Sequence, residues 1–231
     1  MTNPNTPNPG KLIIVRHHES EWNKLGVWTG SRDIHLTEHG FQMSEKMGIL
    51  IKDIQIDEAI VSTQIRSYET LLGMEKTFNN FDIPTSFSPE LNERDYGDYT
   101  GKNKMEVEKI VGEEEFKKIR RGWDCPIPHG ETLKMVYERS VPYYLETILP
   151  KVLSGENVLI VSHGNAIRSL MKYIESISDE GISNIEMLFG SIMIYDVDEK
   201  GRMINKEIRG APPRPPSGES ETAPKIPHAF L

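Results

Sequence analysis

Short apolar runs alternate with longer stretches of mixed polarity along most of the chain. Residues 12–15, 59–61 and 158–161 are such runs, built only of aliphatic residues and alanine. Continuous apolar runs of this length are typical of strands that are buried on both faces of a parallel sheet. The longer stretches between and after these runs predict helices. The predicted helices lie at residues 41–54, 62–78, 106–121, 136–149 and 165–177.

The order of these elements predicts the fold class. Strands that alternate with helices favour a mostly parallel central sheet with helices on both faces, so we expect a three-layer αβα sandwich. Residues 191–197 and 202–208 flank the turn sequence DEKG and predict a terminal hairpin, which would make one edge strand antiparallel. Pro142 predicts a kink or break in its helix, because proline has no backbone N–H.

The two ends of the chain differ in composition from the part between them. Residues 1–10 are rich in asparagine and proline and predict a flexible arm. Residues 210–231 contain six of the fifteen prolines and predict a disordered tail. We expect residues 11–209 to form a single catalytic domain, because a chain of 231 residues is long enough for one α/β core.

Composition and charge narrow the class of protein. The formal net charge of −8 argues against a general nucleic-acid or membrane-surface binder. No apolar run approaches the ~20 residues of a membrane span, and the first residues do not resemble a signal peptide. Cys125 is the only cysteine, so neither an internal disulfide nor a cysteine-based zinc site can form. These features favour a cytoplasmic protein.

Basic and imidazole side chains follow all three predicted buried strands. Arg16 and His17 follow the first strand, Arg66 begins the helix after the second, and His163 follows the third. Ligands of open parallel sheets bind beyond the carboxyl ends of the strands, so these residues should face one crevice. An imidazole nitrogen can attack phosphorus, and the planar arginine fork pairs with phosphate oxygens. The sequence therefore predicts a site for phosphoryl transfer.

Several short motifs resemble a known family. They are RHHESEWN at residues 16–23, TG at 29–30, LTEHG at 36–40, LNERDYG at 91–97, GKNK at 101–104, the arginine pair at 120–121 and HGNAIR at 163–168. Together they resemble the histidine phosphatase superfamily, and more narrowly its 2,3-bisphosphoglycerate-dependent phosphoglycerate mutases. The resemblance extends from residue 11 to about residue 197, and LNERDYG is its most specific part.

The resemblance implies a role for each matching residue. His17 would be the phosphorylated nucleophile, and Glu93 would be the general acid and base. Arg16, Arg66 and His163 would hold the phosphoryl group. The implied substrate-binding residues are Ser20, Asn23, Thr29, Gly30, Tyr96, Lys104, Arg120, Arg121, Gly164 and Asn165.

The resemblance also implies an activity. A mutase of this family interconverts 3-phosphoglycerate and 2-phosphoglycerate in glycolysis and gluconeogenesis, is primed by 2,3-bisphosphoglycerate, needs no metal, and forms a homodimer or larger homo-oligomer. One alternative is a histidine-dependent phosphatase for another small phosphomonoester. A second is a non-catalytic module that binds a phosphorylated ligand; it would need Arg16 and Arg66 but not Glu93 and His163 together.

The chain departs from the family pattern at four places, one of which is TQI at residues 63–65 in place of the usual run before the arginine. His18 stands where the family has glycine, and the alternation of side chains along a strand means that His17 and His18 should not both reach phosphorus. We therefore expect His18 to pack against the protein. Residues 122–131 form a shorter cover than in the mutases, which would admit water and favour phosphatase activity. The tail after Ile208 has no counterpart in the family pattern.

Overall fold

A six-stranded sheet lies at the centre of the computed structural model, which describes residues 8–78 and 82–213. The order across the sheet is β3-β2-β4-β1-β5-β6. The four strands β1 to β4 are parallel, and β5 runs antiparallel to both of its neighbours. The strands are β1 (Leu12–Arg16), β2 (Glu58–Ser62), β3 (Thr85–Ser88), β4 (Val158–Ser162), β5 (Ser191–Val197) and β6 (Met203–Gly210).

Helices cover both faces of this sheet, which confirms the expected α/β sandwich. The predicted hairpin is also present. Its first strand, β5, is antiparallel to the rest of the sheet and lies next to the edge strand β6. The helices are α1 (Glu21–Lys24), α2 (Glu38–Ile51), α3 (Ile65–Glu75), α4 (Lys104–Val111), α5 (Glu113–Arg121), α6 (Leu133–Tyr143), α7 (Leu149–Leu153), α8 (Gly164–Ile174) and α9 (Asp179–Ile182).

Alternate residues of the buried strands face two separate cores. Leu12 and Ile14 pack with residues of α6, α7 and α8, whereas Ile13 and Val15 pack with residues of α2 and α3. Because successive strand residues point to opposite faces and both faces are covered, the run contains no polar position. A third apolar cluster around Trp28 supports α4 and α5 beside the end of the sheet.

Two predicted helices differ from the structure. The helix expected at residues 106–121 is divided, because Gly112 has a φ of 84° and ends α4 before α5 begins. The helix expected at 136–149 starts at Leu133, passes through Pro142 and widens into a π-helical turn at Tyr144–Ile148. A widened turn suits the position after Pro142, which lacks the N–H of a regular helix.

The predicted arm and tail lie outside the described residues, apart from residues 8–10 and 210–213. Gly10 donates its N–H to the Val152 carbonyl at 2.8 Å, and Gly210 belongs to β6. None of the helices within the described ranges is long and apolar enough to cross a membrane.

Candidate active site

The carboxyl ends of the two central strands bring two histidines together. β1 and β4 are parallel neighbours, with Arg16 opposite Ser162. His17 and His163 follow these strands directly, and their ring centroids are 4.9 Å apart. This juxtaposition depends on the strand order, because β4 lies between β2 and β1 although it comes after both in the chain.

The ring of His17 is held in one tautomer. Its Nδ1 lies 2.6 Å from the His18 carbonyl oxygen, which can only accept a hydrogen bond. Nδ1 therefore carries the proton and Nε2 keeps a lone pair. Burial, then the charges of Arg66 and Arg16, lower the pKa of His17 well below its ordinary value. The ring is thus neutral at neutral pH, as a nucleophile must be.

Two arginines place positive charge beside His17. The Arg16 guanidinium donates to the Met187 carbonyl and lies over the Phe189 ring, 4.2 Å from its centroid. Arg66 donates to the Gly30 carbonyl at 3.1 Å and is almost fully buried. Burial lowers the pKa of Arg66 to about 10, so its side chain stays charged at neutral pH.

His163 is fully buried beside His17. Its Nε2 lies 2.7 Å from Ser62 Oγ and 3.0 Å from Ser67 Oγ. Burial, Arg66 and His17 lower the pKa of His163 well below its ordinary value. Sequence reasoning did not identify the two serines as site residues, although Ser62 closes β2 at the same edge of the sheet.

Glu93 lies on the wall of the cavity at the N-terminus of α8. Its Oε1 accepts hydrogen bonds from the backbone N–H of Asn165 at 3.2 Å and of Arg94 at 2.7 Å. Its own N–H donates to Gln64 Oε1 at 2.8 Å. The positive end of a helix stabilises a carboxylate, so α8 helps to hold Glu93 in place.

A second set of polar side chains around the cavity is joined by hydrogen bonds and ion pairs. Asn165 Nδ2 donates to the Tyr96 hydroxyl at 2.8 Å, and Arg168 donates to Asn165 Oδ1 at 2.8 Å. Arg120 and Arg121 both contact the carboxylate of Glu186. Glu186 carries no sequence signal, because its partners lie 65 and 66 residues away in the chain.

The structure places nearly all predicted site residues around one cavity, and Ser20 and His163 are the two that do not line it. Trp28, Arg168 and Met187 also line it and were not assigned roles from the sequence. The basic lining suits a ligand with several negative charges. The lining residues are Arg16, His17, Asn23, Trp28, Thr29, Gly30, Arg66, Glu93, Tyr96, Lys104, Arg120, Arg121, Gly164, Asn165, Arg168 and Met187.

Ser20 acts on the cavity through its neighbour. It is fully buried and caps α1, where its hydroxyl donates to Asn23 Oδ1 at 2.8 Å and accepts from the Asn23 N–H. Asn23 itself lines the cavity. The Ser20 side chain thus takes part in the helix cap.

His18 packs away from the cavity. Its ring lies 5.7 Å from the His39 ring and 6.0 Å from the Phe189 ring, measured between centroids. Burial, then His39 and Arg16, lower the pKa of His18 to about 3. A Cβ built on Gly190 would lie 3.2 Å from His18 Cδ2, so the imidazole fills the space beside a glycine.

Among the described residues, no group of three or more histidine, cysteine, aspartate or glutamate side chains is placed to hold a metal ion.

The arrangement of a neutral histidine, flanking arginines and a nearby carboxylate defines a class of phosphoryl-transfer protein. The family model described as the histidine phosphatase superfamily, branch 1, matches residues 12–207. The chain belongs to that superfamily.

Relatives narrow the class further. A 2,3-bisphosphoglycerate-dependent phosphoglycerate mutase of Parvibaculum lavamentivorans is 41% identical over 202 residues, which cover 87% of this chain and 96% of that protein. The phosphoglycerate mutase of Schizosaccharomyces pombe is 37% identical over 202 residues, with the same coverage. Within the superfamily, the chain belongs to the phosphoglycerate mutase family.

Solved structures share the fold. Bacillus stearothermophilus YhfR is 25% identical with a TM-score of 0.73, covering 84% of this chain and 98% of that one. A mycobacterial glucosyl-3-phosphoglycerate phosphatase in complex with VO3 is 19% identical with a TM-score of 0.74, covering 87% and 98%.

Relatives named as mutases differ in length. The alignment with the Parvibaculum lavamentivorans protein spans 202 residues and 96% of that protein, so that relative has no long insertion with respect to this chain. The alignment with mutase 2 of Latilactobacillus sakei, 35% identical, spans 224 residues but covers only 85% of this chain and 98% of that protein, so it includes residues that this chain lacks. Proteins of this name thus occur both with and without additional residues relative to this chain.

Proposed function

We propose that this chain interconverts 3-phosphoglycerate and 2-phosphoglycerate through a phosphohistidine at His17, as a cytoplasmic enzyme of glycolysis and gluconeogenesis. The observation that carries the proposal is the state of His17: a neutral ring with Nδ1 bound to a carbonyl and Nε2 available, flanked by two arginines. The names of the relatives supply the substrate. From the family resemblance, we also propose an assembly of two or more copies.

The basic lining fits 2,3-bisphosphoglycerate, which carries two phosphates and a carboxylate. Arg16 and Arg66 would bind the phosphate beside His17, and Lys104, Arg120 and Arg121 would bind the groups farther away. When bound, 2,3-bisphosphoglycerate supplies the phosphoryl group that loads His17. Several guanidinium groups suit this task, because each can bind two oxygens at once.

In the first phosphoryl transfer, His17 carries the phosphoryl group and Glu93 acts as the general base. Glu93 accepts the proton of the free hydroxyl of the monophosphoglycerate, and that oxygen forms a bond to the phosphorus held on His17. The bond between Nε2 and phosphorus breaks, and its electron pair returns to the ring. Arg16 and Arg66 neutralise the charge on the phosphoryl oxygens during the transfer.

In the second transfer, the other phosphoryl group of the bisphosphate moves from the substrate to His17. Nε2 of His17 attacks that phosphorus, the bond to the substrate oxygen breaks, and Glu93 returns its proton to the leaving oxygen. His17 is phosphorylated again and the product is the isomer of the starting phosphoglycerate. The enzyme thus needs the primer only in catalytic amounts.

The test is conversion of 3-phosphoglycerate to 2-phosphoglycerate in the presence of a chelator, with and without 2,3-bisphosphoglycerate. We expect turnover that depends on the bisphosphate, is lost in His17→Ala and persists in His18→Ala, because only His17 presents a free Nε2 to the cavity. Release of inorganic phosphate without isomerisation would contradict the mutase and support a phosphatase for another phosphomonoester. Binding of phosphorylated compounds without any turnover would support a binding module.

A further inference from the structure

The segment between α9 and β5, residues 183–190, contacts two of the cavity arginines. The Glu186 carboxylate contacts Arg121, and the carbonyl of the next residue, Met187, accepts a hydrogen bond from Arg16. The Phe189 ring lies under the Arg16 guanidinium. One short segment thus touches both Arg16, which adjoins His17 in the chain, and Arg121, and both arginines line the cavity.

Glu186 is the point at which two divergent side chains meet. Arg120 and Arg121 are consecutive residues in the last turn of α5, so their side chains leave the helix about 100° apart. Both nevertheless reach Glu186 Oε1, Arg120 Nη2 at 3.5 Å and Arg121 Nη2 in closer contact. The shared carboxylate oxygen therefore directs both guanidinium groups to one side of the cavity.

The surroundings of Arg121 require a contact that holds its guanidinium at the cavity. Glu186 and Arg168 are each only 1% exposed. Burial, then the charges of Arg121 and Arg94, lower the pKa of Arg168, which means that these arginines repel one another. This repulsion pushes Arg121 toward solvent, and the contact with the Glu186 side-chain oxygen holds its guanidinium at the cavity.

We propose that Glu186 is a positioning residue that aims Arg120 and Arg121 at the anionic group of the substrate farthest from His17. The proposal rests on the mutase function, because it needs a substrate with a second anionic group. In this proposal the length of the Glu186 side chain is decisive. Its terminal oxygen reaches both arginines, and the oxygen of a shorter side chain would not.

The chain offers variants that separate geometry from charge. Glu186→Gln keeps the length and an oxygen acceptor but removes the charge, whereas Glu186→Asp keeps the charge and shortens the reach. Glu186→Ala removes both. Glu199→Gln is the matched control, because Glu199 is an exposed residue in the turn between β5 and β6.

The experiment is titration calorimetry of the full chain without the bisphosphate primer, using two probes. 3-Phosphoglycerate has two separated anionic groups, and orthovanadate resembles only the phosphoryl group beside His17. We expect Glu186→Ala and Glu186→Asp to weaken 3-phosphoglycerate binding about tenfold, and Glu186→Gln to stay within about threefold of wild type. Vanadate affinity should change by less than about twofold in every variant, because Arg16 is held by a backbone carbonyl. Circular dichroism of each variant checks that it is folded.

Other patterns overturn the proposal. If Glu186→Asp binds 3-phosphoglycerate as wild type does, and Glu186→Gln binds it as weakly as Glu186→Ala, Glu186 acts through its charge alone. If a variant binds 3-phosphoglycerate and vanadate more weakly by the same factor, the whole segment has moved. If Glu186→Ala binds 3-phosphoglycerate as tightly as wild type or more tightly, the arginines need no positioning. Should Ala fail to fold, the comparison of Asp with Gln decides. Wild-type protein that binds vanadate but not 3-phosphoglycerate would instead overturn the mutase function, and this proposal with it.

Discussion

At the scale of the residue, one hydrogen bond decides which nitrogen of His17 can attack phosphorus. The carbonyl of residue 18 accepts from Nδ1, so Nε2 is the nitrogen that would act as the nucleophile in the proposed reaction. The side chain of His18 has no part in this bond, and its ring packs against His39 and Phe189. A glycine would supply the same carbonyl, which explains how a histidine is accommodated at this position.

The carbonyl of Gly30 has a comparable role for Arg66. Gly30 has a φ of 54°, and a Cβ there would lie 2.9 Å from Thr100 Oγ1. We predict that Gly30→Ala lowers the free energy of unfolding by about 1–2 kcal/mol, the cost of a left-handed residue with a Cβ. Because the shifted carbonyl would release Arg66, kcat/KM for 3-phosphoglycerate should also fall about tenfold. Urea unfolding and initial rates measure the two effects.

Gly112→Ala is the control for this prediction. Gly112 has a φ of 84°, and nothing lies within 4 Å of a Cβ built there. It should lose similar stability and keep its activity. Equal losses of kcat/KM in the two variants would show that Gly30 does not act through Arg66.

Much of the candidate site could be predicted from the sequence, because its residues follow strand ends that are visible as apolar runs. His17, Arg66 and His163 were found in that way, and their positions at one edge follow from a parallel sheet. Glu186 and Ser67 could not be found, because their contacts join parts of the chain that lie 65 and 96 residues apart. Such pairs depend on tertiary packing and leave no local pattern.

At the scale of the element, the residues that cap helices stabilise the fold, and one of these caps also holds a residue that lines the cavity. Ser20 caps α1 and holds Asn23, which lines the cavity, whereas Thr37 caps α2 by accepting from the Gly40 N–H at 2.9 Å. The two caps should therefore contribute similar free energies to folding, but only the cap at Ser20 contacts a residue that lines the cavity.

We predict that Ser20→Ala and Thr37→Ala each lower the free energy of unfolding by about 1 kcal/mol. Only Ser20→Ala should also lower kcat/KM for 3-phosphoglycerate, because it frees the Asn23 side chain. Chemical denaturation and steady-state kinetics on both variants provide the measurement. A loss of activity in Thr37→Ala as large as in Ser20→Ala would mean that the caps affect the cavity only through general stability.

The elements that were mispredicted have identifiable physical causes. β3 contains a single apolar residue, Phe87, which is exposed, so an edge strand of this kind has no apolar pattern. The break between α4 and α5 had two local signals, the cap at Gly112 and the acidic first turn that begins at Glu113. The continuous polar character of residues 106–121 obscured both signals.

At the scale of the whole molecule, three buried histidines make stability depend on pH. Burial lowers the pKa of His17, His18 and His163 in the folded chain, while the unfolded chain keeps values near 6.5. Below pH 6.5 the unfolded chain therefore binds protons that the folded chain does not. Stability is complete above this pH and decreases as the pH falls below it.

We predict a loss of about 1.4 kcal/mol for each of these histidines between pH 7.5 and pH 5.5, roughly 4 kcal/mol in total. Exposed His35 acts in the opposite sense, because its hydrogen bond to Glu69 raises its pKa. The lowered pKa values of Asp53 and Asp196 act only below about pH 4, outside this window. Urea unfolding at the two pH values measures the difference.

His18→Gln should remove about one third of this pH dependence, because it deletes one of the three groups. His129→Asn is the control for the loss of a histidine, since His129 is exposed and asparagine tolerates its φ of 54°. A His18→Gln protein with the wild-type dependence on pH would show that this ring is not kept neutral by the fold.

The position of β4 between β2 and β1 also governs the order in which the molecule can be completed on the ribosome. Residues 12–16 and 58–62 are synthesised long before residues 158–162, which must enter between them. Until then, the nascent chain contains His17 and Arg66 with two apolar strands that lack their common neighbour, a condition that invites aggregation. Translation that stops before Val158 gives a product without β4 and without His163. We therefore expect this protein to depend on chaperones late in synthesis rather than early.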